Sequence, residues 1–139
     1  IWLPLDPVPR EHGLEFISGS HIWGKMFMPK KFLSHEEYDY KPKSFDPIPD
    51  IESDRDQYEI LSWDIEPGDC IVFHFKTLHA GAGNLQRSNR RRAFSSRWLG
   101  DDTVFAERPG KTSPPFPELT FKQGDSMIHS LFPICWENH

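Results

Sequence analysis

Two side chains between Gly68 and Trp98 have the types and setting for chemistry: His79, which follows an apolar run, and Arg91, twelve residues later. A neutral imidazole is a ligand for divalent metals, and a guanidinium forks two hydrogen bonds onto a carboxylate. If Cys70 to His79 is one strand, the period of two places Ile71, Phe73, Phe75, Thr77 and His79 on a common face. A second strand starting near Arg90 alternates Arg91, Ala93, Ser95 and Arg97 against Arg92, Phe94, Ser96 and Trp98. As the antiparallel neighbour of the first, it would aim Arg91 into the same cavity, beside small residues that leave room for a ligand. Between them Ala80-Gly81-Ala82-Gly83-Asn84 permits close approach of a bound molecule.

Each residue also has a plainer reading. A histidine at a strand end is commonly a half-exposed group bonded to backbone, and Arg90-Arg91-Arg92 can be a solvated basic cluster. That plainer reading is preferred for Arg90 and Arg92. For Arg91 the face shared with Ala93 and Ser95 favours an anion, since a buried guanidinium without one carries a large desolvation cost. A lone histidine is an incomplete site: non-haem iron on a facial triad needs a second histidine and a carboxylate.

The elements that must position these groups are short. Trp2 opens an apolar run, a proline-punctuated turn covers Asp6 to Pro9, and a strand is expected over Leu14 to Ile17. Gly19 marks a loop leaving the sheet. From 24 to 58 no period persists, and a long surface excursion or lid is predicted, with a short helix near Ser34 to Tyr38. Strand returns at Glu59 to Trp63, and Glu66-Pro67-Gly68-Asp69 is a turn. Asp101 and Asp102 are expected to cap a further turn and balance the arginines. Thirteen prolines oppose long helices, so the tail reads as an extended strap and the whole as an all-β sandwich or barrel.

The chain of 139 residues is expected to form one domain, 1–139, with enough apolar content to close a core. A net charge of −5 and the lack of a basic stripe argue against nucleic-acid or anionic-membrane partners. Two distant cysteines form no disulfide framework or zinc pattern, which favours a reducing compartment, the cytoplasm. The start at Ile1-Trp2-Leu3 has neither initiator Met nor signal-peptide layout, and we expect the chain to be the C-terminal part of a longer one. Unpaired strand edges in such a chain predict a homo-oligomer or self-association.

The runs IWLPLDPV, HGLEFISGSHIWG, GDCIVFHFKTLHAGAGN, RRRAFSSRWLGDD and LFPICW resemble the phytanoyl-CoA dioxygenase family of iron(II)/2-oxoglutarate-dependent oxygenases. The resemblance spans nearly the whole chain and is weakest from about residue 25 to 57. It implies a double-stranded β-helix, the jelly-roll or cupin-like fold, and oxidation of a small molecule or acyl thioester with 2-oxoglutarate as cosubstrate. Residue by residue, His79 resembles the C-terminal histidine ligand of the iron, Arg91 the arginine that binds the far carboxylate of 2-oxoglutarate, and Trp2 a tryptophan lining the cosubstrate pocket. The loop between His79 and Arg91 is one residue longer than in a phytanoyl-CoA enzyme of the family, which keeps Arg90 as a substitute. Gly81 stands where that enzyme has a serine. The family's other two iron ligands form a His-x-Asp pair expected before Trp2, and this sequence contains no such pair; His35-Glu36-Glu37 has the His-x-Glu form but lies in the polar excursion. The chain alone is therefore expected to be inactive. Two alternatives stay open: a non-catalytic cupin-like binding or assembly module, and a halogenase of the same family.

Overall fold

The computed structural model describes residues 1–30, 45–81, 90–107 and 116–137. They form two compact units, Ile1–Arg97 and Trp98–His139. As expected, the described residues are all-β: antiparallel strands and three single-turn 3₁₀ helices, in a cupin-like arrangement of two sheets.

In the first unit β1 (Trp2–Pro4) pairs antiparallel with β5 (Ala93–Ser95), Trp2 opposite Ser95 and Pro4 opposite Ala93. On its other edge Trp2 exchanges two backbone hydrogen bonds with Ile71, at 2.8 and 2.9 Å. The second sheet has β2 (Leu14–Ile17) at its centre, flanked by β3 (Ile60–Leu61) and β4 (His79–Gly81). Leu14 lies opposite Gly81 and Phe16 opposite His79. Val8, Phe16, Ile17, Met28 and Ile65 are buried and make the core.

Local chemistry sets these boundaries. Pro4 has no N–H to extend the edge on which Trp2 bonds to Ile71, while towards β5 the pairing runs one residue further, Leu5 N–H to the Arg92 carbonyl at 2.9 Å, before the chain bends through Asp6. Val8 and Ile65 then exchange backbone bonds of 2.9 and 3.0 Å, sealing the core beneath the bend. Gly19, at φ 69°, swings the chain out of β2 in a conformation that disfavours a Cβ. The Ser20 hydroxyl beside it donates to the Ile17 carbonyl at 2.8 Å and accepts the Leu78 N–H at 2.9 Å, tying the end of β2 to the residue just before His79. The turn at 66–69 forms as expected: Asp69 N–H donates to the Glu66 carbonyl at 3.0 Å, its carboxylate accepts the Glu66 N–H at 2.9 Å, and Gly68 takes φ 111°.

Two expectations about the central strands are corrected. Cys70 to His79 is not continuous, because Thr77 N–H turns back onto the His74 carbonyl at 2.9 Å and Lys76 N–H onto the His74 ring at 3.2 Å. The apolar stripe therefore ends at Phe73, and Phe75 is 70% exposed. Nor are β4 and β5 neighbours: β4 pairs with β2 and β5 with β1, so His79 and Arg91 stand on different sheets.

Within the excursion, Met26 and Met28 bond to Asp46, and the 3₁₀ helix Arg55–Gln57 is held to β2 by Arg55, whose guanidinium meets Glu15 at 2.8 Å. The short helix expected at Ser34 to Tyr38, and His35, lie outside the described residues. In the second unit Thr103 N–H closes a turn onto Gly100 at 3.0 Å, making Asp101 and Asp102 turn residues, and single bridges join Val104 to Ser126 and His129 to Phe132. Cys70 and Cys135 are exposed free thiols. Among the described residues no helix is long and apolar enough to cross a membrane.

Candidate functional site

Antiparallel partners directly opposite one another share a face. His79 thus shares its face with Phe16, and Gly81 with Leu14. The imidazole lies nearly parallel to the Phe16 ring, centroids 5.8 Å apart at 19°, and Phe73 tilts against it at 4.9 Å. Phe16, 3% exposed, also meets Phe73 at 4.9 Å and Trp63 at 6.1 Å, so the histidine rests on a packed aromatic floor while its own surface stays exposed.

The ring's orientation is fixed by one more bond. Nδ1 of His79 is 2.9 Å from the Thr77 carbonyl. A carbonyl only accepts, so Nδ1 carries a proton, and in the neutral ring Nε2 keeps its lone pair. That is the arrangement of a metal-binding histidine, whose second nitrogen donates to a carbonyl or carboxylate. The plainer reading of His79, a backbone-bonded histidine, and the functional one are therefore compatible.

On the other sheet, Trp2, Pro4, Ser95 and Ala93 share a face through their register, and the alternation of β5 carries Arg91 to the same side. Pro4 is buried and Trp2 and Arg91 are half-buried, which marks this as the inward face, although Ala93 and Ser95 are open to solvent. Arg91 Nη1 donates to the carbonyl of His12, just before β2. Arg91 and His79 thus meet one short segment from different sheets: the guanidinium at His12, the end of the 3₁₀ helix before β2, and the imidazole opposite Phe16 in β2, four residues and at most about 13 Å of extended backbone apart. Trp2 lies at the far end of the β1–β5 pairing from Arg91, on the same face.

The three arginines separate cleanly. Arg90 is exposed, and Arg92 forks onto Asp6, Nη2 to Oδ1 at 2.7 Å and Nε to Oδ2 at 3.0 Å. These hydrogen bonds hold the Asp6 carboxyl down at about 2, against an ordinary 3.8. What this ion pair adds to stability is present above the ordinary value and is lost as pH falls toward about 2. Bonding to Arg55 likewise lowers the Glu15 carboxyl.

A model of the phytanoyl-CoA dioxygenase family matches residues 1–93, two thirds of the chain, which includes β1 to β4, His79 and Arg91 and ends at the first residue of β5. The chain belongs to the phytanoyl-CoA dioxygenase family. No curated protein and no solved structure matches it. Members of this family are oxygenases that generally use iron(II) and 2-oxoglutarate. The residues described do not on their own fit an iron centre: no three His, Cys, Asp or Glu side chains come together among them, and the sequence has no His-x-Asp pair. Among the described residues no second histidine and carboxylate stand with His79 to make up a facial triad.

Two contributors escaped sequence reasoning. Ser20, in Gly-Ser-His, fixes the strand that carries His79; a small hydroxyl residue after a left-handed glycine was the available signal. Asp6 anchors Arg92, and an aspartate before proline suggested only a turn.

Proposed function

We propose that this chain supplies one iron ligand, His79 through Nε2, and the cosubstrate arginine, Arg91, of an iron(II)/2-oxoglutarate-dependent oxygenase acting on a small molecule or acyl thioester. The observation that carries the proposal is the His79 ring itself, proton on Nδ1 toward the Thr77 carbonyl and Nε2 left as a donor, within a segment matched by the family model. Arg91 on the inward face supports the second part, since a guanidinium there offers a dicarboxylate a fork of fixed geometry. Trp2, on that face, is assigned to the wall of the cosubstrate pocket. Iron, when bound, supplies the activation of oxygen; this chain's residues supply one donor and the anchoring of the cosubstrate.

A second reading is favoured by the donor count. With one histidine assigned to a metal and no group of three His, Cys, Asp or Glu side chains among the described residues, the chain alone suits a non-catalytic cupin-like binding module. Incubating the chain with iron(II), 2-oxoglutarate and oxygen tests what the two readings share: no succinate above background is expected from the chain alone. Repeated, stoichiometric succinate release would show that it completes a triad unaided and would contradict the assignment of only one ligand to it.

A further inference from the structure

The β1–β5 ladder has a defect beside Arg91. Pro4 and Ala93 form a non-hydrogen-bonded pair, since Pro4, like Trp2, which bonds to Ile71, turns its nitrogen away from β5, so the defect is not at the proline. One residue on, Leu5 N–H donates to the Arg92 carbonyl at 2.9 Å. A regular antiparallel pair would return the bond from Arg92 N–H to the Leu5 carbonyl. Instead Arg92 N–H goes to Oδ2 of Asp6 at 2.8 Å, and the same carboxylate takes the Arg92 side chain through Nε and Nη2. Asp6 replaces a rung of the sheet and fixes Arg92, main chain and side chain together. Because neighbours along a strand point to opposite faces, an Arg92 held outward sends Arg91 inward, to the face of Trp2 and Pro4 and the His12 carbonyl.

We infer that Asp6 is a positioning residue for Arg91, orienting the anion-binding guanidinium by clamping its neighbour Arg92 outward. The anion-binding part of this inference rests on the assignment of Arg91 to the cosubstrate carboxylate; the clamp itself does not. Arg92 is 59% exposed, so the pair is too open to solvent to matter much to global stability, and its effect is on direction.

The test is nitrogen-15 NMR of the whole chain with Asp6→Asn, which keeps the shape and an acceptor but removes the charge. The Arg91 Nε–H signal is expected to move toward its unstructured position and Arg92 amide exchange to quicken, while the Phe16 and Ile17 amides of the other sheet stay as they are. An unmoved Arg91 signal overturns the clamp. Should Asp6→Asn unfold the chain, Arg92→Gln decides, because it removes the fork and leaves Asp6 to accept the main-chain N–H; there too an unmoved Arg91 overturns the clamp. Titration with 2-oxoglutarate adds the coupling. Asp6→Asn is expected to weaken affinity about tenfold, a shift of about 1.4 kcal/mol, and to cause no further loss once Arg91→Lys is in place. Equal losses in both backgrounds would make Asp6 a general support of the fold and overturn the inference. If Arg91→Lys binds like the native chain, the cosubstrate assignment fails instead, and the NMR result still judges the clamp.

Discussion

Replacing Arg91 by alanine is expected to abolish measurable binding of 2-oxoglutarate, while Arg90→Ala leaves the dissociation constant within about twofold. Truncating one partner of a hydrogen-bonded charge pair costs about 2–5 kcal/mol, or roughly thirty- to several-thousandfold in affinity. Only Arg91 is placed to lose that much. Arg90 is exposed, and Arg92 is committed to Asp6 on the outer face, whereas Arg91 is half-buried on the face of Trp2. The extra residue in the loop before it left Arg90 as an alternative; the register of β5 favours Arg91. Calorimetric titration of the three single alanine variants checks this. A loss confined to Arg90→Ala would shift the assignment by one residue, and equal binding by all would remove it.

Phe16→Ala is the substitution expected to cost most stability, about 3–5 kcal/mol, a large share of the 5–15 kcal/mol that holds a domain of this size. Phe16 is the buried centre on which Trp63, Phe73 and His79 rest. Its loss leaves a cavity beneath the imidazole as well as exposing apolar surface. Denaturant titration should show most of the stability gone; a loss under about 1 kcal/mol would mean that the aromatic floor is not the core described. Phe16→Leu, which keeps most of the volume, should retain the fold and remove the ring that His79 lies on.

How much of this could be read from the sequence depends on whether the determinant was local. β2 forms over Leu14 to Ile17, between Gly13 and Gly19, where punctuation marked it. The turn at 66–69 and the want of long helices followed from proline and glycine, again local effects. The run from Cys70 to His79 misled because apolar alternation is blind to one backbone N–H: Thr77 bonds back to His74, and the parity that placed Phe75 with His79 is lost. Pairing partners were illegible for a related reason. Periodicity tells which face a residue takes, not which strand lies alongside, and β4 joined β2 while β5 joined β1. At the site, residue type and setting singled out His79 and Arg91. The protonated nitrogen of His79, the Ser20 tie and the Asp6 clamp depend on contacts made across 2, 58 and 86 residues, and only the first of these spans a distance a sequence window covers.

The central claim is that His79 holds iron through Nε2. Its most direct test is the iron content of the product of the complete reading frame that encodes Ile1 to His139, purified anaerobically with iron(II), with His79 native and with His79→Ala. We expect close to one iron per chain in the native protein and almost none in the variant. Equal iron in both, or none in the native protein, would contradict the assignment.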